Sequence, residues 1–201
     1  MPTVRPPLPV ESGIVSELIL QSDCGMLTAL FGPKVRSLVI HLQHKSRNPY
    51  SFENTLVIAD ATRDHDVLGA LVGSLAGTMK SSNLHTAALL FRWYGPAVIA
   101  RFPRLARAGK ALDGLEPDDY YLSHIAVLPG HRGHGAGREL LLAGEEYARR
   151  QGARRLVLDV EEHNAGARSF YSRLSYARAA VIRIDLGRRG VFSFIRLVKG
   201  L

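Results

Sequence analysis

The chain has 201 residues, 46% hydrophobic and 22% charged, which fits one globular domain with a substantial core. Cys24 is the single cysteine, so an internal disulfide framework is excluded, and no Cys/His cluster has the spacing of a structural zinc site. Met1 to Ser12 lacks the apolar core of a signal peptide, and the longest apolar stretch, Leu68 to Met79, is too short to span a bilayer. We therefore expect one domain over residues 1–201 in a soluble, cytoplasmic protein with no metal and no membrane partner.

The positive charge is concentrated in the C-terminal third. The formal net charge is +8, from 26 Lys and Arg against 18 Asp and Glu. Residues 131–201 hold 14 basic and 7 acidic side chains and so supply +7 of that charge. A nucleic acid, a membrane surface, a phosphorylated cofactor or a plain arginine-rich surface each accounts for this pattern. Charge alone therefore favours an acidic partner without identifying it.

The N-terminal half predicts helices followed by a hairpin. An extended, proline-rich lead-in over residues 1–12 precedes three helical patterns, over Gly13 to Gln21, Asp23 to Phe31 and Pro33 to Lys45. One face of the third helix carries Val35, Leu38, Val39 and Leu42. Two β-rich runs follow, Thr55 to Ala59 and Val67 to Ala76, joined by a polar turn from Asp60 to Asp66.

The C-terminal half alternates strands and helices. Leu84 to Phe102 is helical in part, and Pro103 to Gly114 is a basic helical piece. The remaining predictions are a strand at Tyr120 to Leu128, a helix at Gly135 to Gln151, a strand at Arg155 to Val160, a helix at Asn164 to Leu174, and a hairpin of Arg178 to Leu186 with Val191 to Val198. This order predicts an α/β (α+β) fold in which helices cover a sheet.

A glycine-rich segment lies between the first of these strands and its helix. It reads Arg132, Gly133, His134, Gly135, Ala136, Gly137, with Arg138 directly after it. The first N–H groups of a helix have no intrahelical partner and carry the positive end of the helix dipole, and glycine lets a phosphate approach closely. Arg132 and Arg138 add charge-assisted donors. The segment therefore predicts an anion-binding cradle.

Two familiar phosphate-binding turns do not fit this spacing. A dinucleotide-binding turn needs G-x-G-x-x-G, and here the third glycine comes one residue early, although Asp159 imitates the acid that binds ribose. A P-loop needs Gly-Lys-Ser or Gly-Lys-Thr after the glycines, and neither follows.

At these residues the chain resembles the GNAT superfamily of N-acetyltransferases, whose signature (Gln/Arg)-x-x-Gly-x-(Gly/Ala) is met by Arg132, Gly135 and Gly137. The strand from Tyr121 to Pro129 and the segment from Asn164 to Leu174 look like the family's neighbouring motifs. Ser175 stands where the family usually has a glycine before an aromatic residue, here Tyr176. The close resemblance covers residues 120–176, and Tyr50 to Gly77 is similar to the family's early hairpin.

The resemblance implies a mixed, mostly antiparallel sheet with a splayed central strand pair and helices on both faces. It implies acetyl-CoA as acyl donor, with its pyrophosphate on the glycine segment and its pantetheine arm and carbonyl on the backbone of Ile125, Ala126 and Val127. Asn164 would bind the same molecule. Tyr171 lies two helical turns after Asn164 and would protonate the departing sulfur, the alternative being a core aromatic.

The general base is left open by the sequence. Transfer to an amine needs the amine uncharged. His124, with an ordinary pKa of about 6.5, is the titrating candidate on the strand, although a lone strand histidine is often a hydrogen-bonded core residue. Strand alternation would separate it from Tyr121 and Ser123. Asp118 and Asp119 acting through water, or a water relay alone, are the alternatives.

We therefore predict an N-acetyltransferase that moves an acetyl group from acetyl-CoA to a primary amine by direct transfer. The amine is on a small molecule, a peptide terminus or a lysine. The basic and aromatic stretch from Arg92 to Arg107 fits either a wall of the acceptor pocket or a nucleic-acid surface. The rival function is accordingly a non-catalytic acyl-CoA-sensing or nucleic-acid-binding module. We expect no nucleic-acid partner, and a homodimer stays open.

Overall fold

The computed structural model describes residues 2–60 and 66–201. Within these residues the strands are β1 (Pro2–Arg5), β2 (Thr55–Asp60), β3 (Val67–Leu75), β4 (Asp119–Val127), β5 (Arg155–Glu161), β6 (Ala177–Asp185) and β7 (Val191–Gly200). The helices are α1 (Ser12–Ser22), α2 (Met26–Phe31), α3 (Val35–Gln43), α4 (Ala76–Ser81), α5 (Asn83–Tyr94), α6 (Phe102–Gly109), α7 (Ala136–Arg150) and α8 (Ala165–Ser172). Short 3₁₀ turns connect several of them.

The strands form one mixed sheet in the order β1-β2-β3-β4-β5-β7-β6. Each neighbouring pair is antiparallel except β4 and β5, which are parallel and joined through α7. The β4–β5 pairing runs only from Asp119↔Arg155 to Leu122↔Leu158, although both strands continue beyond it. The two central strands therefore separate halfway along their length, as the predicted splayed pair requires.

Helices cover both faces of this sheet. On one face Leu18 and Ile19 of α1 pack with Leu38 and Leu42 of α3 against strand residues such as Val72. On the other face the apolar side of α7 and part of α8 cover the sheet, and this cluster includes Leu71, Tyr120, Leu140, Leu141, Leu156, Leu158 and Tyr171. The predicted fold class is confirmed.

Three parts of the chain differ from their predicted structure. The lead-in is not merely extended, because Pro2–Arg5 pairs with β2 as an edge strand. The second helix begins at Met26 rather than Asp23, and the last residue of the predicted Val67 to Ala76 strand is instead the first residue of the helix α4. The predicted turn from Asp60 to Asp66 falls largely on residues 61–65, which lie outside the described residues.

A bulge in β4 decides which side chains face each layer. Val72 pairs with His124 but Gly73 pairs with Leu122, so Ser123 is an extra residue on β4. Tyr120 and Leu122 face α7 before the bulge, and Ile125 and Val127 face the same layer after it. The expectation that alternation separates His124 from Tyr121 is therefore wrong, since the bulge leaves both on the opposite face, toward α1.

Candidate active site

The separation of β4 and β5 opens a cleft of about 420 Å³. Its walls come from β4, β5, the end of α1, the start of α8, and Ile184 and Phe194 of the last hairpin. Seven of the predicted site residues line it together: His124, Ile125, Ala126, Val127, Arg132, Asn164 and Tyr171. Beyond Leu122 the edge of β4 that faces β5 has no strand partner among the described residues, so its backbone groups can bind an extended ligand.

The glycine segment presents free backbone donors beside this cleft. Gly135 is the N-cap of α7, and no side chain caps this helix end. Among the described residues, the N–H groups from Gly133 to Arg138 make no hydrogen bond, and the first backbone bond of the helix is from Glu139 N to Gly135 O. Gly133 and Gly135 have φ of +80° and +89°, values that favour glycine. Such an array fits a pyrophosphate.

Arg132 positions the loop rather than projecting freely from it. Its Nε donates to Val127 O at 2.8 Å, and a terminal nitrogen donates to Gln21 Oε1 at 3.2 Å. These bonds tie the glycine segment to the end of β4 and to α1. Arg138 and His134 are exposed at the helix start. The role of all three toward a phosphate stays a prediction.

Tyr171 is buried but its hydroxyl is not used by the fold. The residue is 5% exposed and lies against the rings of Phe170 and Tyr176 at 5.1 and 5.5 Å. Its hydroxyl makes no hydrogen bond with any described residue, whereas those of Tyr120, Tyr121 and Tyr176 are all bonded. Burial raises the pKa of Tyr171 well above 10, so the phenol holds its proton at neutral pH. Tyr171 thus lines the cleft with its proton in place, and its role as proton donor stays a prediction.

Asn164 serves first as a helix cap. Its Oδ1 accepts a hydrogen bond from Ala167 N at 2.9 Å and so fixes the start of α8. The side-chain amide nitrogen makes no bond to the described residues and remains available at the cleft. Its predicted contact with the acyl donor is compatible with this geometry.

His124 lines the cleft with its ring 5.9 Å from that of Tyr50. Its Nδ1 lies 3.0 Å from Ser22 Oγ at the end of α1. Burial lowers the pKa of His124 to about 4, so the imidazole is neutral at pH 7 and binds a proton weakly. This weakens its predicted role as general base, which stays a prediction.

The floor of the cleft is an internally neutralised network. Arg196 donates to both carboxylate oxygens of Asp159, at 2.9 and 2.8 Å, and to two backbone carbonyls. The Tyr121 hydroxyl donates to Asp159 at 3.0 Å. Asp159 is therefore a structural partner of Arg196, and the Tyr121 hydroxyl is already engaged.

The other proposed bases lie elsewhere. Asp118 pairs with Arg154 at 3.0 Å, and Asp119 is bound by Arg155 through two bonds of 2.7 and 2.8 Å. Burial acts to raise the pKa of Asp119, but the bonds from Arg155 outweigh it and the pKa falls. Neither acid lines the cleft. The basic stretch from Arg92 to Arg107 does not line it either, and its role at the acceptor pocket stays a prediction.

The sequence interpretation missed the loop between α1 and α2. Asp23 and Cys24 both line the cleft opposite the splayed strands. Asp23 Oδ2 accepts hydrogen bonds from Gly25 N and Leu27 N, each at 3.0 Å. Burial, with the nearby charge of Asp23, raises the pKa of Cys24 to about 11, so its thiol is protonated and a poor nucleophile. The Asp-x-Gly-x-Leu spacing is a cap signal that the sequence contained.

Comparison with known proteins agrees with this geometry. Residues 41–176 match the model of the acetyltransferase (GNAT) family, which is more than half of the chain. The chain belongs to this family. The prediction drawn from the glycine segment is confirmed at the family level, and the match extends beyond residues 120–176 back to residue 41, at the end of α3.

Individual relatives of this GNAT chain are similar over limited segments. An uncharacterised N-acetyltransferase, YhfO of Bacillus subtilis (strain 168), is 44% identical over 57 residues, which are 28% of this chain and 38% of the relative. The chain thus matches well under half the length of that relative.

Solved structures share the fold along nearly the whole chain. The N-acetyltransferase from Staphylococcus aureus Mu50 has a TM-score of 0.70 at 15% identity, over 98% of this chain and 100% of the other. The NatC complex bound to Gag peptide and CoA has a TM-score of 0.58 at 14% identity, over 100% and 94%. In the part of the chain that the structure describes, no helix is long and apolar enough to cross a membrane.

Proposed function

We propose that this chain transfers the acetyl group of acetyl-CoA to a primary amine, by direct attack of the amine on the thioester while both substrates are bound. The amine belongs to a small molecule, a peptide terminus or a lysine. The observation that carries the proposal is the cleft itself, where an edge of β4 without a strand partner meets the Tyr171 hydroxyl, which makes no hydrogen bond to the described residues.

The donor end of the cleft fits acetyl-CoA. The free N–H groups from Gly133 to Arg138 suit the pyrophosphate, and Arg138 adds positive charge there. The unpaired edge of β4 at Ile125, Ala126 and Val127 suits an extended amide-bearing arm, and its N–H groups are placed to polarise the thioester carbonyl. Asn164 Nδ2 supports the same arm.

Tyr171 completes the reaction by donating its proton to the sulfur as the carbon–sulfur bond breaks. Its raised pKa keeps the phenol protonated at neutral pH, so the proton is present when the carbon–sulfur bond breaks. Cys24 takes no part as a nucleophile, because its thiol stays protonated at neutral pH. Transfer therefore needs no covalent enzyme intermediate.

The test is release of CoA thiol from acetyl-CoA with a panel of polyamines, aminoglycosides, amino acids and N-terminal peptides. Release that depends on an amine supports the proposal. Binding of acetyl-CoA with no thiol release from any amine overturns it in favour of an acyl-CoA-sensing module. Salt-dependent binding to DNA or RNA without acetyl-CoA binding favours the nucleic-acid alternative. Homodimer formation and cytoplasmic location stay predictions.

A further inference from the structure

The acceptor end of the cleft carries unbalanced negative charge in a protein whose net charge is +8. Asp159 is neutralised by Arg196, and Arg132 is held by Val127 O and Gln21 at the donor end. The carboxylates left in the cleft are Asp23, from the α1–α2 loop, and Glu161, from the end of β5. No lysine lines the cleft among the described residues.

Asp23 is held so that one carboxylate oxygen is fixed and the other is free. Both backbone bonds, from Gly25 N and Leu27 N, go to Oδ2. Oδ1 has no hydrogen-bond partner among the described residues. A carboxylate that is held through one oxygen is already oriented. Little side-chain conformational entropy is therefore lost when a ligand binds the other oxygen.

A second polar group in the cleft also has no hydrogen-bond partner among the described residues. The Tyr171 hydroxyl, on a side chain that is 5% exposed, lines the same cleft from the α8 side. Its oxygen is therefore available to a ligand in the cleft. Asp23 and Tyr171 therefore line the same cleft from two different elements. They can act on one bound ligand, Asp23 as the base and Tyr171 as the acid.

We propose that Asp23 binds the ammonium group of the acceptor at this end of the cleft and accepts its proton before acyl transfer. The inference rests on the acyl-transfer function proposed above. One proton passes from nitrogen to Asp23 and leaves the amine lone pair free to attack the thioester carbon. The carbon–sulfur bond then breaks, and sulfur takes the Tyr171 proton. The second proton of the attacking nitrogen returns to Tyr171, and Asp23 releases its own proton to solvent.

The electrostatics of Asp23 suit this task better than those of His124. Burial, opposed in part by the two backbone bonds and aided by the charge of Glu161, raises the pKa of Asp23 to about 6. Asp23 is thus ionised at neutral pH yet more basic than an ordinary carboxylate, whereas His124 has a pKa of about 4. The other titratable or charged side chains around it, among the described residues, are Cys24, Tyr50, Tyr121, His124, Arg132, Asp159, Glu161 and Tyr171.

The acceptor class follows from the two carboxylates. The reacting ammonium neutralises Asp23, and Glu161 then remains to attract a second positive charge on the same molecule. We therefore expect a small amine with two or more positive charges to bind better than a monoamine of the same length. The probes are 1,4-diaminobutane and butylamine.

The variant that tests this is Asp23→Asn, in which the amide oxygen keeps both backbone bonds and the free oxygen becomes an NH₂ group. Asp185→Asn is its matched control, because Asp185 also accepts a backbone N–H, from Gly187 at 2.7 Å, but lies outside the cleft. With acetyl-CoA and 1,4-diaminobutane we expect Asp23→Asn to lower kcat/KM about 10²-fold. Asp185→Asn should leave it unchanged.

The pH profile separates a proton acceptor from a structural side chain. In the wild type, log(kcat/KM) should fall below about pH 6 as Asp23 becomes protonated, and this limb should disappear in Asp23→Asn. Glu161→Gln should move the limb to lower pH, since Glu161 helps raise the pKa of Asp23. Equal kcat/KM for Asp23→Asn and wild type, or the same acid limb in both, overturns the proposal.

The affinity for the amine can be measured without turnover. The experiment is a calorimetric titration of 1,4-diaminobutane into the CoA-loaded protein at pH 8. We expect binding to the wild type and Asp185→Asn, and at least tenfold weaker binding to Asp23→Asn. Binding to the wild type with no thiol release from any amine contradicts the proposed acyl transfer but not the cation site. No binding to the wild type, or unchanged binding to Asp23→Asn, overturns the site itself.

Discussion

Replacing Asp23 by Asn should stabilise the fold, and the gain should depend on pH. Burial raises the pKa of Asp23 from 3.8 to about 6. The folded chain therefore binds this proton more tightly than the unfolded chain does. The wild type loses stability relative to Asp23→Asn as pH rises from about 4 to about 6, and the full cost is present above pH 6.

The size of the effect follows from the same values. Each pKa unit is worth about 1.4 kcal/mol, so the rise from 3.8 to about 6 corresponds to about 3 kcal/mol. Solvent reaches this half-buried side chain and screens part of the cost, so we expect a gain on the order of 1–2 kcal/mol for Asp23→Asn at pH 8. The variant keeps the bonds from Gly25 N and Leu27 N, so little opposing loss is expected.

Urea denaturation of both proteins at pH 4, 6 and 8 measures this difference, because the carboxylates remote from Asp23 titrate alike in the two chains. The two free energies of unfolding should agree near pH 4 and differ above pH 6. A less stable Asp23→Asn at pH 8 would refute the reasoning, since Asp23 would then contribute to stability rather than reduce it. A residue that lowers stability yet is needed for turnover is expected at a functional site.

Gly135→Ala should weaken CoA binding at least tenfold in calorimetry and cost about 1–2 kcal/mol of unfolding free energy, because φ there is +89°. Gly137→Ala, the matched change, should keep CoA affinity within about threefold, since the added Cβ meets ordinary contacts no nearer than 3.7 Å. Ser175→Gly should raise the unfolding free energy by about 1 kcal/mol in urea, because Ser175 has φ of +65°. Tyr171→Phe should lower kcat about 10²-fold with little loss of stability, whereas Tyr176→Phe should cost about 1–3 kcal/mol by removing a bond to buried Glu145.

Each of these predictions has a result that contradicts it. Equal CoA affinity in the two glycine variants would remove the argument from backbone conformation. A less stable Ser175→Gly would mean that the serine side chain contributes more than the backbone strain costs. Turnover of Tyr171→Phe equal to that of the wild type would assign Tyr171 to packing alone.

The sequence predicted the fold best where local patterns and tertiary packing agree. Three signals in the sequence agree on the helix α7: an apolar period of 3.6 residues, a glycine at the N-cap and a strand before it. The helix begins within one residue of its predicted start. The strands β2 and β3 likewise follow their β-branched runs. The region from Ala76 to Leu112 was harder, because its helices are short and carry Gly95, Pro96 and Pro103.

The proposed donor end of the site was open to sequence prediction because its residues are close along the chain. Arg132 to Gly137 span one loop and the start of α7, and Asn164 to Tyr171 span the cap and body of α8. The proposed acceptor end combines Asp23 with His124 and Glu161, and Asp23 lies more than a hundred residues before either of them. Their proximity depends on how α1 lies across β4, and no local pattern encodes that packing.

The extra residue at Ser123 also bears on how this strand tolerates insertion and deletion. Removing it would close the bulge, and His124 would then follow Leu122 directly in strict alternation. Each side chain from His124 to Val127 would keep its present layer, with Ile125 and Val127 still beside α7. The extra residue therefore sets the local bend and twist of β4 at the cleft, and its loss would straighten the strand without changing which side chains face each layer.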